Sequence, residues 1–390
     1  MPDPQILINT YPPPVLKDII NQSRPTSINI YIDLKNVLTA LFVKDIVDQI
    51  VLNSQTMNNI DSSIFQAIVN ISAYWKNYAR RLGLTAKIFI CSDLGKSCYH
   101  RNIYKDYKCS RDIMNTSAVM GEQIKKIRDK NFILAEHICN KIPDVYFFCL
   151  KYLESDFLPY YLITRNFTDE NIFHIVCSND KDLYQSLVGE NVIQIYKIKK
   201  VNNIVSRSSV LPTYLKVHKA SDNKKAEKLE KLSGVNRGYL TIMMAINGDK
   251  GDDIPGIDRM GPAGIINLFS NNEVVDGLIG TPEELDNRIS SGGKAFREDK
   301  IGLNRMPAPW QKVFLGNEVV TRAYKLISFE SLSRWLERKD TIEKMKYIEY
   351  VDKLLRKEDI EIIPTAKSLL TSLQMIEDLY LTEGIINELF

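Results

Sequence analysis

IFHIVCSNDKDL, residues Ile172–Leu183, is a near-continuous apolar run that stops at two aspartates one residue apart. A run this short, bounded by turn residues, reads as a strand covered on both faces. Upstream stand three of the same kind: SINIYID (Ser27–Asp33), KIFICSD (Lys87–Asp93) and VYFFCL (Val145–Leu150). Downstream lies NVIQIY (Asn191–Tyr196), and helical periods fall between the runs, around Ser62–Leu82 and Glu154–Thr164. Alternation of this type predicts an α/β core, a mostly parallel sheet with helices on its faces.

Each of the four strands is closed or followed by acids: Asp33, Asp93, Glu154 with Asp156, and Asp180 with Asp182. The carboxyl ends of an open parallel sheet line one crevice, so these groups are expected to converge there. Converging carboxylates repel one another unless cations lie between them. Oxygen ligands without His or Cys suit Mg²⁺ or Mn²⁺. A single aspartate between strand and helix is ordinarily an N-cap. Capping, however, needs no second carboxylate two residues on, and both ESD and DKD supply one.

Composition narrows the alternatives. No apolar stretch reaches the roughly 20 residues of a membrane span, and the N-terminus lacks the pattern of a secretory signal. Six cysteines contain no CxxC pair and four histidines no HExxH, against a disulfide framework or a zinc site. A cytoplasmic protein, in the host cell if viral, is the expectation. Net charge is +3, but residues 96–130 carry +5 and residues 196–238 carry +8, which leaves −10 for the rest. Segregated charge fits a basic surface for a polyanion beside an acidic cluster. The lysine-rich DNKKAEKLEKL (Asp222–Leu232) reads first as a solvated helix face.

Residues 1–26 read as a Pro-interrupted arm, 27–211 as the α/β core and 212–390 as a mainly helical region. Within the last, NGDKGDDIPGIDRMGPAGI (Asn247–Ile265) places Asp249 and Asp252 three apart among glycines. The turn from Gly256 to Gly261 then leads into a helix starting near Pro262. Backbone N–H groups at such a turn and helix start favour phosphate. Helices predicted from MKYIEYVDKLLRK onward have no assigned role, and no chemical motif follows about residue 271.

Four blocks in this order carry a resemblance: IYIDLKN, SDLGKSCYHRNIYKDYKCSR, YLESDF with SNDKDL, and GDKGDDIPGIDRMGP. They resemble the bacteriophage and bacterial 5′-nucleases of the flap endonuclease superfamily over roughly Ile28 to Leu268, with weaker likeness in RAYKLISFESL (Arg322–Leu332). The resemblance implies a PIN-like sheet, a helical arch at about 94–130 within the core, and a helix–hairpin–helix motif at about 239–269. It implies one divalent ion held mostly by Asp33, Asp93, Glu154 and Asp156, and a second held mostly by Asp180, Asp182, Asp249 and Asp252. Mg²⁺ is the expected ion and Mn²⁺ its substitute.

By the same likeness, Lys96, Lys108 and Arg111 of the arch assist two-metal-ion hydrolysis of phosphodiesters. Arg101 follows His100, which stands in the aligned place of the family's arginine. Tyr99, Tyr104 and Tyr107 either stack on unpaired bases or pack the arch. The hairpin glycines Gly256 and Gly261, with Arg259, would grip duplex DNA. Arg259 replaces the family's second hairpin glycine and Ala263 its lysine, which weighs against the family's hairpin K⁺. The implied substrates are DNA with a 5′ flap, nick or 5′ end, or an RNA–DNA hybrid, in replication or repair. A monomer is expected, with replication proteins as conceivable partners. Two other readings are a PIN-type single-strand or RNA nuclease and a non-catalytic DNA-junction binder.

Overall fold

Ile28, Ile30 and Ile32 of the first strand are all at most 1% exposed, as the apolar runs require of a sheet covered on both faces. The computed structural model describes residues 12–34, 56–94, 97–110, 135–151, 154–166, 168–198, 201–297 and 307–338. In chain order the elements that position the site begin with α1 (Leu16–Ser23), β1 (Ser27–Asp33), α2 (Thr56–Arg81), β2 (Thr85–Leu94) and α3 (Cys98–Ile103). There follow β3 (Val145–Lys151), α4 (Phe157–Asn166), β4 (Ile172–Cys177), β5 (Val192–Ile198) and β6 (Val201–Ser206). The rest are α5 (Asp222–Ser233), α6 (Leu240–Asn247), α7 (Pro262–Phe269), α8 (Pro282–Ser290), α9 (Ala308–Leu315), α10 (Asn317–Ile327) and α11 (Phe329–Glu337).

The six strands form one sheet in the order β3-β2-β1-β4-β5-β6. The pairs β3–β2, β2–β1, β1–β4 and β4–β5 are parallel. Only two residues separate β5 from β6, too few for a parallel crossover, so that edge is an antiparallel hairpin. The order reverses direction between β1 and β4, which makes their carboxyl ends the switch point where such sheets leave a crevice. Register aligns those ends: Asp33 lies opposite Cys91, Ile32 opposite Cys177, and Asp93 opposite Leu150.

Alternation gives the sheet two unlike faces. One carries aliphatics, including Ile30, Ile88 and Ile175, which pack with Ile68, Ile71 and Trp75 of α2. The other carries a ladder of rings across four strands. Tyr146 stacks on Phe89 at 5.2 Å, Phe89 on Tyr31 at 5.0 Å, and Tyr31 on His174 at 6.0 Å. The expected arm is corrected in part: α1 belongs to the core, with Leu16 and Ile20 buried among the aliphatics. Its apolar positions four apart share one face of a short helix, which the neighbouring prolines masked.

The chain divides into two compact units, and the described residues 97–110 cluster with the helical one rather than with the sheet. The arch was expected within the core, so its described base departs from that expectation. In the helical unit, α6 buries Ile242–Ile246 and α7 buries Ile265, Ile266, Leu268 and Phe269. Trp310 of α9 closes this core, its ring 5.8 Å from that of Phe269 and 6.1 Å from that of Phe296. Described helices after residue 271 thus pack against the hairpin helices. The residues of MKYIEYVDKLLRK lie outside those described.

Candidate active site

At the switch point the acids are linked through one buried hydroxyl. Ser178, just past β4, donates its Oγ–H to Asp33 Oδ2 at 3.0 Å and accepts from the Asp180 N–H at 3.0 Å. Asp180 Oδ1 in turn accepts from the Asp182 N–H at 2.9 Å. Gln194 on β5, fully buried, holds the loop from beneath, its Nε2 donating to the Ser178 and Asp180 carbonyls at 2.9 and 2.8 Å. Asp33 is itself 8% exposed, so its carboxylate depends on such donors for solvation. Asp180 thus caps the turn that follows β4, as an aspartate after a strand ordinarily does.

Glu154 and Asp156 fall in the turn before α4 rather than within it. The Glu154 carbonyl accepts from Phe157 N–H at 3.2 Å, and both side chains are half-buried. Asp93 closes β2 in register with β3, and its side chain lies outside the description. Lys96 and Arg111 lie outside the described residues altogether. Among the described residues, no three His, Cys, Asp or Glu side chains gather closely enough to hold an ion. The donors that are present are carboxylate oxygens at or just after the ends of β1, β3 and β4, a set that fits Mg²⁺ or Mn²⁺ and not a soft metal.

The helical unit presents the second acid pair. Gly248 takes φ +68°, and a Cβ on it would collide with the Gly256 backbone, so these two glycines let the loop fold back on itself. Asp249 and Ile254 exchange backbone hydrogen bonds at 2.9 and 2.8 Å, closing the loop, and Asp249 Oδ1 caps it by accepting from Gly251 N–H at 2.8 Å. Residues 107–110 rest on the same loop. Lys108 donates its N–H to the Asp252 carbonyl at 3.1 Å and sets its ammonium 3.4 Å from Asp252 Oδ2. Ser110 donates its N–H to Asp253 Oδ2 at 2.8 Å. Lys108 and Asp253 both hold positive φ, +56° and +58°, a conformation that non-glycine residues adopt at a cost.

Base stacking by Tyr107 is corrected by its burial. The ring is 3% exposed, stacked on His100, and its hydroxyl lies 3.4 Å from Asp252 Oδ2, so no base can reach its faces. Tyr99 is likewise packed, donating to the Lys325 carbonyl at 3.0 Å. Tyr104 sits under the Arg322 guanidinium, 4.9 Å from it, and Arg101 stands half-buried in the last turn of α3.

In the hairpin, a Cβ on Gly256 would strike the Asn247 backbone, whereas one on Gly261 would meet open space. Gly256 is therefore required by packing, and Gly261 leaves room before α7. Arg259 takes φ +55°, the conformation a glycine would favour, with its side chain 89% exposed beside Asp258. The Asp258 carbonyl accepts from the Lys312 ammonium, which brings a tethered cation to a turn where K⁺ was weighed. Sequence reading missed Ser178, Gln194 and Lys312. Of these only Gln194 left a signal, an amide in the middle of an apolar strand.

No protein-family model and no curated protein matches this chain. Solved structures do. A crystal structure of the bacteriophage T5 protein co-crystallised with metal ions matches with a TM-score of 0.56 at 15% identity, covering 85% of this chain and 100% of that one. The bacteriophage T5 flap endonuclease, in a pseudo-enzyme–product complex with DNA and metal ions, matches at 0.54 and 14% identity, covering 84% and 98%. The T5 5′-exonuclease with bound zinc matches at 0.52 and 14%, covering 84% and 99%. The chain thus shares the fold of the bacteriophage T5 flap endonuclease and 5′-exonuclease.

Proposed function

We propose that this chain is a divalent-metal-dependent 5′-nuclease that hydrolyses phosphodiesters near the junction of a 5′ single strand and a duplex. The observation that carries the reading is the hydrogen-bonded series Asp33–Ser178–Asp180–Asp182 at the switch point of a sheet with this fold. A sheet that needed only caps there would not line a buried hydroxyl with acids from two strands. Asp33, Asp93, Glu154 and Asp156 would hold one ion, and Asp180 and Asp182 with Asp249 and Asp252 a second. Such ions, when bound, supply Lewis acidity and an activated water. The chain's own cations, Lys108 with Lys96 and Arg111, would offset charge that develops on the phosphate. The turn from Gly256 to Gly261 would hold duplex phosphates without reading bases.

The test is cleavage of 5′-labelled flap, nicked duplex, single strand and RNA–DNA hybrid, compared side by side. Cutting at the flap junction with Mg²⁺ or Mn²⁺, none in EDTA, and binding with little turnover in Ca²⁺ is expected. Full activity in EDTA would sink the metal reading. Preference for unpaired RNA would favour a PIN-type single-strand nuclease, and junction binding without any cutting would favour an accessory binder.

A further inference from the structure

We propose that His100 is a positioning residue: through its ring it fixes Tyr107, and with it the Lys108 ammonium, against Asp252. The inference deepens the nuclease reading and rests on it for its catalytic consequence, though not for its geometry. His100 is 6% exposed and stacks on Tyr107 with ring centroids 4.6 Å apart and planes 13° from parallel. Its Nδ1 lies 2.5 Å from the Oγ of Ser97, the N-cap of α3, which fixes the imidazole about its own ring axis. On the other side the Tyr99 ring meets it edge-on at 5.2 Å, and Tyr99 is held by Trp335 and the Lys325 carbonyl. A continuous series of contacts therefore runs from α11 to the acid loop.

What the stack holds is chemically specific. Tyr107 offers its hydroxyl to Asp252 Oδ2 at 3.4 Å, and the Lys108 ammonium lies 4.9 Å over the same ring and 3.4 Å from the same carboxylate oxygen. Lys108 reaches that place only with φ at +56°. A strained backbone persists where its surroundings over-determine it, and here the ring stack acts together with the Lys108 N–H bond and ammonium contact to Asp252. An arginine in the place of His100 could stack on Tyr107 but carries no acceptor, so it could only donate at Ser97.

Acetylation of the full-length protein with N-hydroxysuccinimidyl acetate, without DNA or metal, reads this directly. Lys108 and the exposed Lys225 are quantified in the same digest. His100→Ala is expected to raise the Lys108 rate about fivefold, as loss of a stacked pair suggests, while Lys225 is unchanged. His100→Asn, which keeps a polar partner for Ser97 but no ring, should do the same, and His100→Phe should stay close to wild type. Lys108 protected in the Ala or Asn variant, or labelled as fast in Phe as in Asn, would overturn the proposal.

Single-turnover cleavage supplies the second readout. His100→Ala should slow the saturated rate while leaving half-saturation by flap DNA nearly unchanged. It should add nothing in a Lys108→Ala background, and an independent further loss there would contradict action through Lys108. A wild-type protein that cuts nothing would remove the nuclease reading, with the acetylation result still deciding the role of His100.

Discussion

Gln194 is fully buried yet polar, and both hydrogens of its amide are spent on the carbonyls of the loop that carries Asp180. Replacing it by methionine keeps the volume and leaves those two acceptors unpaired in the interior. A loss of about 2 kcal/mol is expected from that, read as a lower midpoint in denaturant. The rate should fall as well, because the loop that orients two acids loses its support. Asp180→Ala tests the acids themselves: turnover should drop by orders of magnitude while flap binding changes only modestly. If the alanine variant cuts normally, Asp180 is only a cap. Asp286, on α8 of the helical unit, governs a different property. Burial pushes its carboxyl up to about 6 against the bond from Tyr324, with Glu330 adding and Arg334 opposing. A raised value means that the folded chain holds the proton more tightly than the unfolded one. Its stabilising contribution is full below the ordinary carboxylate value and is lost as pH rises through 6. Asp286→Asn should therefore stabilise the protein near neutrality, by about 3 kcal/mol at most, and flatten its melting profile between pH 4 and pH 7.

The base of the arch and the hairpin make different predictions, since one would act on chemistry and the other on grip. Lys108→Ala and Arg111→Ala should each slow saturated single-turnover cleavage, roughly 10²–10³-fold for a well-placed donor. Lys225→Ala on α5 should alter binding slightly and chemistry not at all. Wild-type rates recovered at saturating enzyme would reduce the arch to a binding surface. Arg259→Gly relieves a left-handed residue but loosens the unfolded chain, and these offset to within about 1 kcal/mol. Melting should hold steady or rise slightly, while affinity for duplexes of unrelated sequence falls to the same degree. Unequal losses across those sequences would point to base reading. Elements with an apolar period were legible beforehand: the strands at Ser27, Val145 and Ile172 and the hairpin helices were found to within a few residues. Those that depend on a partner were not. The packing of α1 and the docking of the arch base on the helical unit are set by contacts far apart in sequence.

Across the whole molecule, phosphate binding by the basic segments should be salt-sensitive. Each contacted phosphate steepens the fall of log affinity with log salt by about 0.9 for duplex DNA, so a salt series counts the contacts. The place of the acids just past strand ends was legible from the strand pattern, because topology brings strand ends together whatever the loops do. Ser178 and Lys312 were not, because their roles lie in hydrogen bonds that no spacing announces. The tight turn around Asp249 and Asp252 was legible from its glycines, which the fold uses for close backbone approach at Gly248 and Gly256. The tryptophans are distributed by the same architecture. Trp75 is sealed in the core of the sheet unit and Trp310 in that of the helical unit, while Trp335 lies against Tyr99 at the arch base. The protein thus carries an intrinsic fluorophore in each compact unit and a third beside the arch. Single-tryptophan variants would separate three emission signals, so that quenching at Trp335 on adding nucleic acid could be followed apart from the melting of either unit.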